Sequence, residues 1–218
     1  LPEGCDLEES VNGLTLQNRL VHQVGVEDTL FRIEKIYTDR EKIQFTADTD
    51  GIYYAVLTDN GTKKADVIGG QFDHVRYPDL KGDSVLYLGH LYKEESLTIL
   101  NGDSEDETKE ISAEIYRMDR NALMQTIKLL SQNHLENVRW QNKRMEGDIT
   151  LEEDRRLVLS IPYEKGWRIW VDGTETKAEL FGEALIALDL KAGKHHITMK
   201  YVPQGSVLGL AVSMISVL

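Results

Sequence analysis

The chain has 218 residues, 41% hydrophobic and 28% charged, with a formal net charge of −12 at pH 7; that is length for one large domain or two small ones, in a composition ordinary for a folded protein. An acidic balance of this size argues against nucleic acid or anionic lipid headgroups as main partners, since both need a basic footprint. The single cysteine, Cys5, excludes an intrachain disulfide, which suits a cytosolic chain and equally a bacterial extracytoplasmic one.

In chain order, LTLQNRLVHQVGV within the first thirty residues predicts a short amphipathic helix with Leu16, Leu20 and Val24 on one face. Strands follow. Apolar residues alternate in Ile43-Phe45-Ala47, Leu97-Ile99, Ile169-Val171 and Ile197-Met199-Tyr201, the period of half-buried strands. Asn60-Gly61, Gly69-Gly70 and Asp172-Gly173 are tight-turn signals between them. NGDSEDETKE, Asn101 to Glu110, is an acidic loop in which Asp103, Asp106 and Glu107 could hold calcium. It lacks the ordered oxygen spacing of a calcium loop, and a solvated hairpin tip is the plainer reading. Ile111–Met118 closes the first set of strands. DRNALMQTIKLLSQNH then predicts a helical connector of about four turns, capped by Asp119 or Asn121, with Leu123, Ile127 and Leu130 packed on one or both neighbours.

The strands repeat. Aligned at an offset of 104, Asp50 meets Asp154, Val67 meets Val171 and Gly69 meets Gly173. Downstream the offset becomes 100, so that Gly82 meets Gly182, Leu88 meets Leu188 and Thr98 meets Thr198. Two copies of one unit, 31–118 and 136–204, joined by a helix over 119–135, predict a mainly β fold. Each copy is expected to be an antiparallel, jelly-roll-like β-sandwich. The last stretch, Gly205 to Leu218, is apolar and uncharged, yet shorter than the ~20 residues that span a bilayer. It reads as the start of a membrane helix, or else as a final core element.

Reactive constellations are missing from the pattern. No Gly-x-Ser-x-Gly occurs, and His22, His74, His90, His134, His195 and His196 form no His-x-x-x-His or His-Glu-x-x-His. His195 and His196 adjoin on one strand and point to opposite faces, so no zinc site is expected. With 37 acidic residues, chance proximity of two carboxylates carries no weight. No catalytic residue and no cofactor is assigned. GWRIWVDG is more telling: Trp167, Ile169 and Val171 share one strand face, and Arg168, Trp170 and Asp172 the other. The match of Val67 with Val171 marks the first face as inward. Trp167 is therefore expected in the core and Trp170 outside, where a ring between a guanidinium and a carboxylate could stack on a sugar or sit at a membrane interface. Trp170, Arg168, Tyr163 and Asp172 are the candidate ligand-binding residues. The plainer alternative is an edge ring covered by a loop or the neighbouring unit.

Ser160-Ile161-Pro162-Tyr163 ahead of Gly166-Trp167, then Val171-Asp172-Gly173, Ala192-Gly193-Lys194-His195 and Tyr201-x-Pro203 resemble the C-terminal extracytoplasmic domain of the bacterial YfhO-type membrane proteins. The opening LPEG, with Gln17-Asn18, is similar to the region where that family's chain leaves the membrane. The resemblance covers both ends and most of the second unit and is weak over 31–118. It implies a multi-pass protein with a GT-C-like membrane core that moves sugar from a polyprenyl-phosphate carrier onto cell-surface polymers such as lipoteichoic acid. In such enzymes the catalytic acids usually sit near the first membrane helices, outside this chain. It further implies the extracytoplasmic face of a bacterial plasma membrane, a membrane-proximal segment 1–30, and both chain ends on the membrane side. The implied partners are the protein's own membrane-spanning region and a cell-surface glycan or glycolipid polymer. On this basis the region is expected to bind or position an acceptor. The rivals are a structural spacer or protein-interaction module without sugar binding, and a self-contained glycoside-active enzyme, which would need two carboxylates ~5–9 Å apart.

Overall fold

The computed structural model describes residues 1–2, 12–58, 61–103, 109–203 and 205. Cys5, Asn60, Asp106, Glu107 and the tail from 206 onward lie outside the described residues, and with them the expectations placed there. The fold is mainly β, with antiparallel sandwiches joined by a helix, in two compact units.

One unit lies within Glu9–Thr126. Helix α1 (Gly13–Val24) leads into β1 (Phe31–Arg40), β2 (Lys42–Thr46), β3 (Gly51–Leu57), β4 (Ala65–Gly69), β5 (Phe72–Tyr77), β6 (Val85–Leu91), β7 (Ser96–Asn101) and β8 (Ile111–Met118). Two four-stranded sheets form, ordered β1-β8-β3-β6 and β2-β7-β4-β5. Alternate residues of both, among them Ile43, Phe45, Val67, Ala55, Leu86, Leu88, Ile99 and Ile115, meet in one buried core. The helix α1 is present, but its buried side chains are Leu14 and Val21; the predicted stripe Leu16, Leu20 and Val24 is half-buried. Asn18, between Leu14 and Val21, fixes this rotation. Its side-chain amide donates to the Phe31 carbonyl at 2.8 Å and its oxygen accepts from the Phe31 N–H at 2.7 Å, which satisfies both groups of one backbone residue. Asn12 caps the helix by accepting from the N–H groups of Leu14 and Thr15, and its amide reaches the Tyr116 hydroxyl.

The connector α2 (Arg120–Leu130) is capped by Asp119, whose carboxylate accepts from the N–H groups of Asn121 and Ala122. It is about three turns long. Its buried residues are Ala122 and Thr126, while Ile127 and Leu130 are about half exposed. The small pair at i and i+4 wins because the Thr126 hydroxyl is satisfied by the Ala122 carbonyl.

The other unit takes Ile127–Leu218 and the start of the chain. Its strands are β9 (Glu136–Gln141), β10 (Arg144–Leu151), β11 (Arg155–Pro162), β12 (Trp167–Val171), β13 (Thr174–Thr176), β14 (Glu179–Phe181), β15 (Leu185–Leu190) and β16 (Gly193–Tyr201). They form a five-stranded sheet, β13-β12-β16-β10-β9, and a three-stranded one, β11-β15-β14, which bury Met145, Ile149, Leu159, Ile169, Ile186, Leu188, Ile197 and Met199 between them.

The two units share a strand plan: β2-β7-β4-β5 corresponds to β10-β16-β12-β13, and the pair β3-β6 to β11-β15. The register corrects the alignment at one place. Ile99 sits between Ile43 and Val67, and Ile197 sits between Gly147 and Val171. Ile99 therefore corresponds to Ile197, an offset of 98, although β6 and β15 keep the offset of 100. A slip of two residues preserves every inward and outward position, so polarity alone cannot detect it.

Leu1 and Pro2 run beside the start of β11. The Leu1 amino group donates to the Arg156 carbonyl at 3.1 Å, the Arg156 N–H returns to the Leu1 carbonyl at 2.9 Å, and Pro2 bridges Arg155. Arg155 faces Leu190, next to the turn into β16. Tyr201 closes the far end of β16, about 26 Å away along the strand. Within this unit Leu1 and Tyr201 thus lie at opposite ends.

Candidate binding surfaces of the second sandwich

Hairpin pairing sets the outer face of the five-stranded sheet. Trp170 faces Glu175 on β13 and Thr198 on β16; Arg168 faces Lys200, which faces Arg144. Ile169, between them, is buried in the core. Arg168 and Trp170 are thus together on the outside, the guanidinium 5.3 Å from the ring centroid in a cation–π arrangement. Arg168 is also clamped by Glu175 through two hydrogen bonds of 2.8 and 2.9 Å. Bidentate geometry keeps the Glu175 carboxyl below its usual range.

Tyr163 and Asp172 sit elsewhere. Tyr163 follows the end of β11, half-buried against the core, with its N–H on the Ala184 carbonyl at 2.7 Å. Asp172 lies at the other end of β12, in a turn with φ +52. One carboxylate oxygen accepts the His196 N–H at 2.8 Å and the other meets His195 Nδ1 at 2.7 Å. These bonds, the backbone one foremost, hold the Asp172 carboxyl below its usual range. His195 Nε2 faces the Lys191 carbonyl at 2.8 Å. With an oxygen acceptor on each nitrogen, the ring is satisfied only as the imidazolium, and the Asp172 bond raises its pKa. His196 instead pairs with Asp148 at 2.7 Å on the outer face, so the adjacent histidines do diverge. Among the described residues no group of three or more His, Cys, Asp or Glu is placed to hold a metal ion. Asp103, from the acidic loop, accepts from the backbone N–H groups of Lys63 and Lys64.

A pH prediction follows from these groups. His195, raised above its ordinary 6.5, contributes fully below that value and loses its contribution as pH climbs through the raised one. Asp172 and Asp148, held below 3.8, contribute above that value and lose it as pH falls through their depressed values. The urea midpoint of the second unit should therefore be highest between about pH 4 and 6.5. Substitution His195→Gln should remove the alkaline decline and leave the acid one. A decline unchanged in that variant would exclude His195 as its source.

Sequence reasoning passed over a second cluster, at the Tyr201 end. Trp167 packs against the core but is half-buried, and meets Tyr201 edge-on at 5.1 Å between centroids and Trp140 at 6.3 Å. Trp140 is 56% exposed. The Tyr201 hydroxyl donates to Glu164. Glu164, Lys165, Gly166 and Tyr201 line a cleft of about 320 Å³. The signal in the sequence was Trp140 beside the Asn142-Lys143 turn, on a strand whose six residues are all exposed.

A family model described as "Bacterial membrane protein YfhO" matches residues 8–213. An uncharacterized protein YfhO of Bacillus subtilis (strain 168) is 28% identical over 130 residues. That match takes in 60% of this chain and 14% of the relative's length. Among the described residues no helix is long and apolar enough to cross a membrane.

Proposed function

Because the chain belongs to the YfhO family of bacterial membrane proteins, we propose that it is the extracytoplasmic part of a multi-pass protein that glycosylates a cell-surface polymer of the lipoteichoic-acid type. Its second sandwich helps to bind or position the acceptor glycan. Sugar transfer from a polyprenyl-phosphate donor belongs to the membrane-spanning region, which is its first partner. The observation that supports this reading is Trp170, held outward beside Arg168 and Thr198 on a face with Lys200, Arg144 and Glu146. An aromatic ring ringed by hydrogen-bonding groups suits a saccharide, whose faces are apolar and whose rim is polar.

Titration of the chain with lipoteichoic-acid fragments, followed by backbone-amide NMR, should shift residues of β12 and β16. Trp170→Ala should weaken binding about tenfold, equivalent to about 1.4 kcal/mol. Equal binding by the two proteins, or none by either, removes the recognition role. A spacer that binds no sugar would then stand. It is favoured by the fact that Arg168 and Asp172 already have protein partners.

A further inference from the structure

We propose that the Tyr201 end of the second sandwich rests on the surface of an anionic lipid bilayer. Three backbone links gather this end. The Tyr201 N–H donates to the Lys143 carbonyl, the Val202 N–H donates to the Gly166 carbonyl, and Arg144 faces Lys200 across β10 and β16. The β9–β10 turn, the approach to β12 and the exit of β16 are therefore one rim. It carries Trp140, Trp167 and Tyr201 together with Lys143, Lys165 and Lys200. Arg144 is paired to Glu146, but no ion pair joins those three lysines to a described side chain. Tryptophan and tyrosine favour the headgroup level of a bilayer, and lysine stems lie along apolar surface while the ammonium reaches phosphate.

The net charge of −12 does not oppose this. Exposed charges farther than about 10 Å are largely screened at 0.1 M salt, so the charges of the rim itself decide what it meets: Lys143, Lys165 and Lys200 outnumber Glu164, which already accepts the Tyr201 hydroxyl. The ring geometry favours lipid over saccharide: interplanar angles of 61° and 68° set the rings edge to face, not as an open stacking platform. The cleft beside Lys165 has room for a headgroup, and its floor needs Gly166. A Cβ there would lie 2.7 Å from both the Tyr201 ring and the Val202 carbonyl. In the sequence, Tyr201 is followed shortly by the uncharged run Gly205 to Leu218.

The test uses the 218-residue chain with vesicles of phosphatidylglycerol and phosphatidylcholine, or of phosphatidylcholine alone. Binding should favour the anionic vesicles and fall at least fivefold in the triple variant Lys143→Gln, Lys165→Gln, Lys200→Gln. Circular dichroism without vesicles checks that this variant is folded. With brominated acyl chains, tryptophan quenching should drop in Trp140→Phe and persist in Trp170→Phe. Any one of three results overturns the proposal: affinity unchanged in the triple variant, quenching carried by Trp170, or release of the protein by soluble glycerol-phosphate oligomers, which would make the rim a polymer site. Because Lys200 also lies on the face of Trp170 and Arg168, the pair Lys143→Gln, Lys165→Gln should by itself weaken vesicle binding and leave glycan binding unchanged, so failure here is distinguishable from failure of the glycan reading.

Discussion

Asp189→Ala is expected to cost the second sandwich about 3 kcal/mol, the range found when a buried charge loses its partner. Arg156 is 6% exposed, and Asp189, opposite it on β15, holds it through Nε at 2.8 Å and Nη2 at 2.6 Å. Glu179 adds a bond of 2.5 Å, but its own side chain is 58% exposed. Once Asp189 is gone, the guanidinium stays buried and has lost the carboxylate that holds it through two nitrogens. Glu179→Ala should therefore cost less than about 1 kcal/mol, as exposed pairs do. Replacing both Arg156 and Asp189 with apolar residues of similar volume should be milder than Asp189→Ala alone. Trp140, Trp167 and Trp170 are the three tryptophans of the chain and all belong to this unit, so the urea midpoint of tryptophan emission reads it selectively. Equal losses for Asp189→Ala and Glu179→Ala would refute the buried-charge account.

Gly69→Ala should destabilise the first sandwich by about 2–4 kcal/mol, combining a left-handed backbone with overpacking. Gly69 has φ +101, and a Cβ there would lie 2.9 Å from the Ser96 carbonyl oxygen and 3.3 Å from the Leu97 Cα on β7. Both are backbone atoms of a paired strand and cannot step aside. Gly173, its repeat counterpart, has φ +80 with nothing within 4 Å of a Cβ. Gly173→Ala should cost only the conformational part, about 1 kcal/mol. Near-UV dichroism of the tyrosines, most of which lie in the first unit, should register Gly69→Ala while the tryptophan midpoint holds. Similar losses at the two glycines would show that the approach of β7 is not what demands Gly69.

The legible features were those with local causes. Period-2 alternation located β2, β7, β12 and β16, Gly69-Gly70 and Asp172-Gly173 marked hairpins, and Asp119 marked a helix start. The split of Trp167 from Trp170 across β12 followed from alternation alone. What escaped depended on partners distant in sequence. The face of α1 is chosen by Asn18 bonding Phe31, not by hydrophobic count. The shift of β16 leaves polarity unchanged. Of the candidate residues, Arg168 and Trp170 adjoin because they are two apart on one strand. Tyr163 and Asp172 flank that strand at opposite ends, a separation that no spacing rule reveals without the register. The Tyr201 rim is assembled from three segments that meet only through the pairing of β9, β10, β12 and β16.

Strand β9 ends the five-stranded sheet with all six residues exposed, including Val138 and Trp140. A bare lateral row of amide groups beside such side chains is a template onto which another chain can grow. Here Asn137 adopts φ +51, the ladder with β10 is broken between Glu146 and Asp148, and Glu136 and Arg139 place charge on the strand. The bent, charged margin guards the chain against aggregation, and straightening it would expose a polymerising surface where the native protein has a closed one.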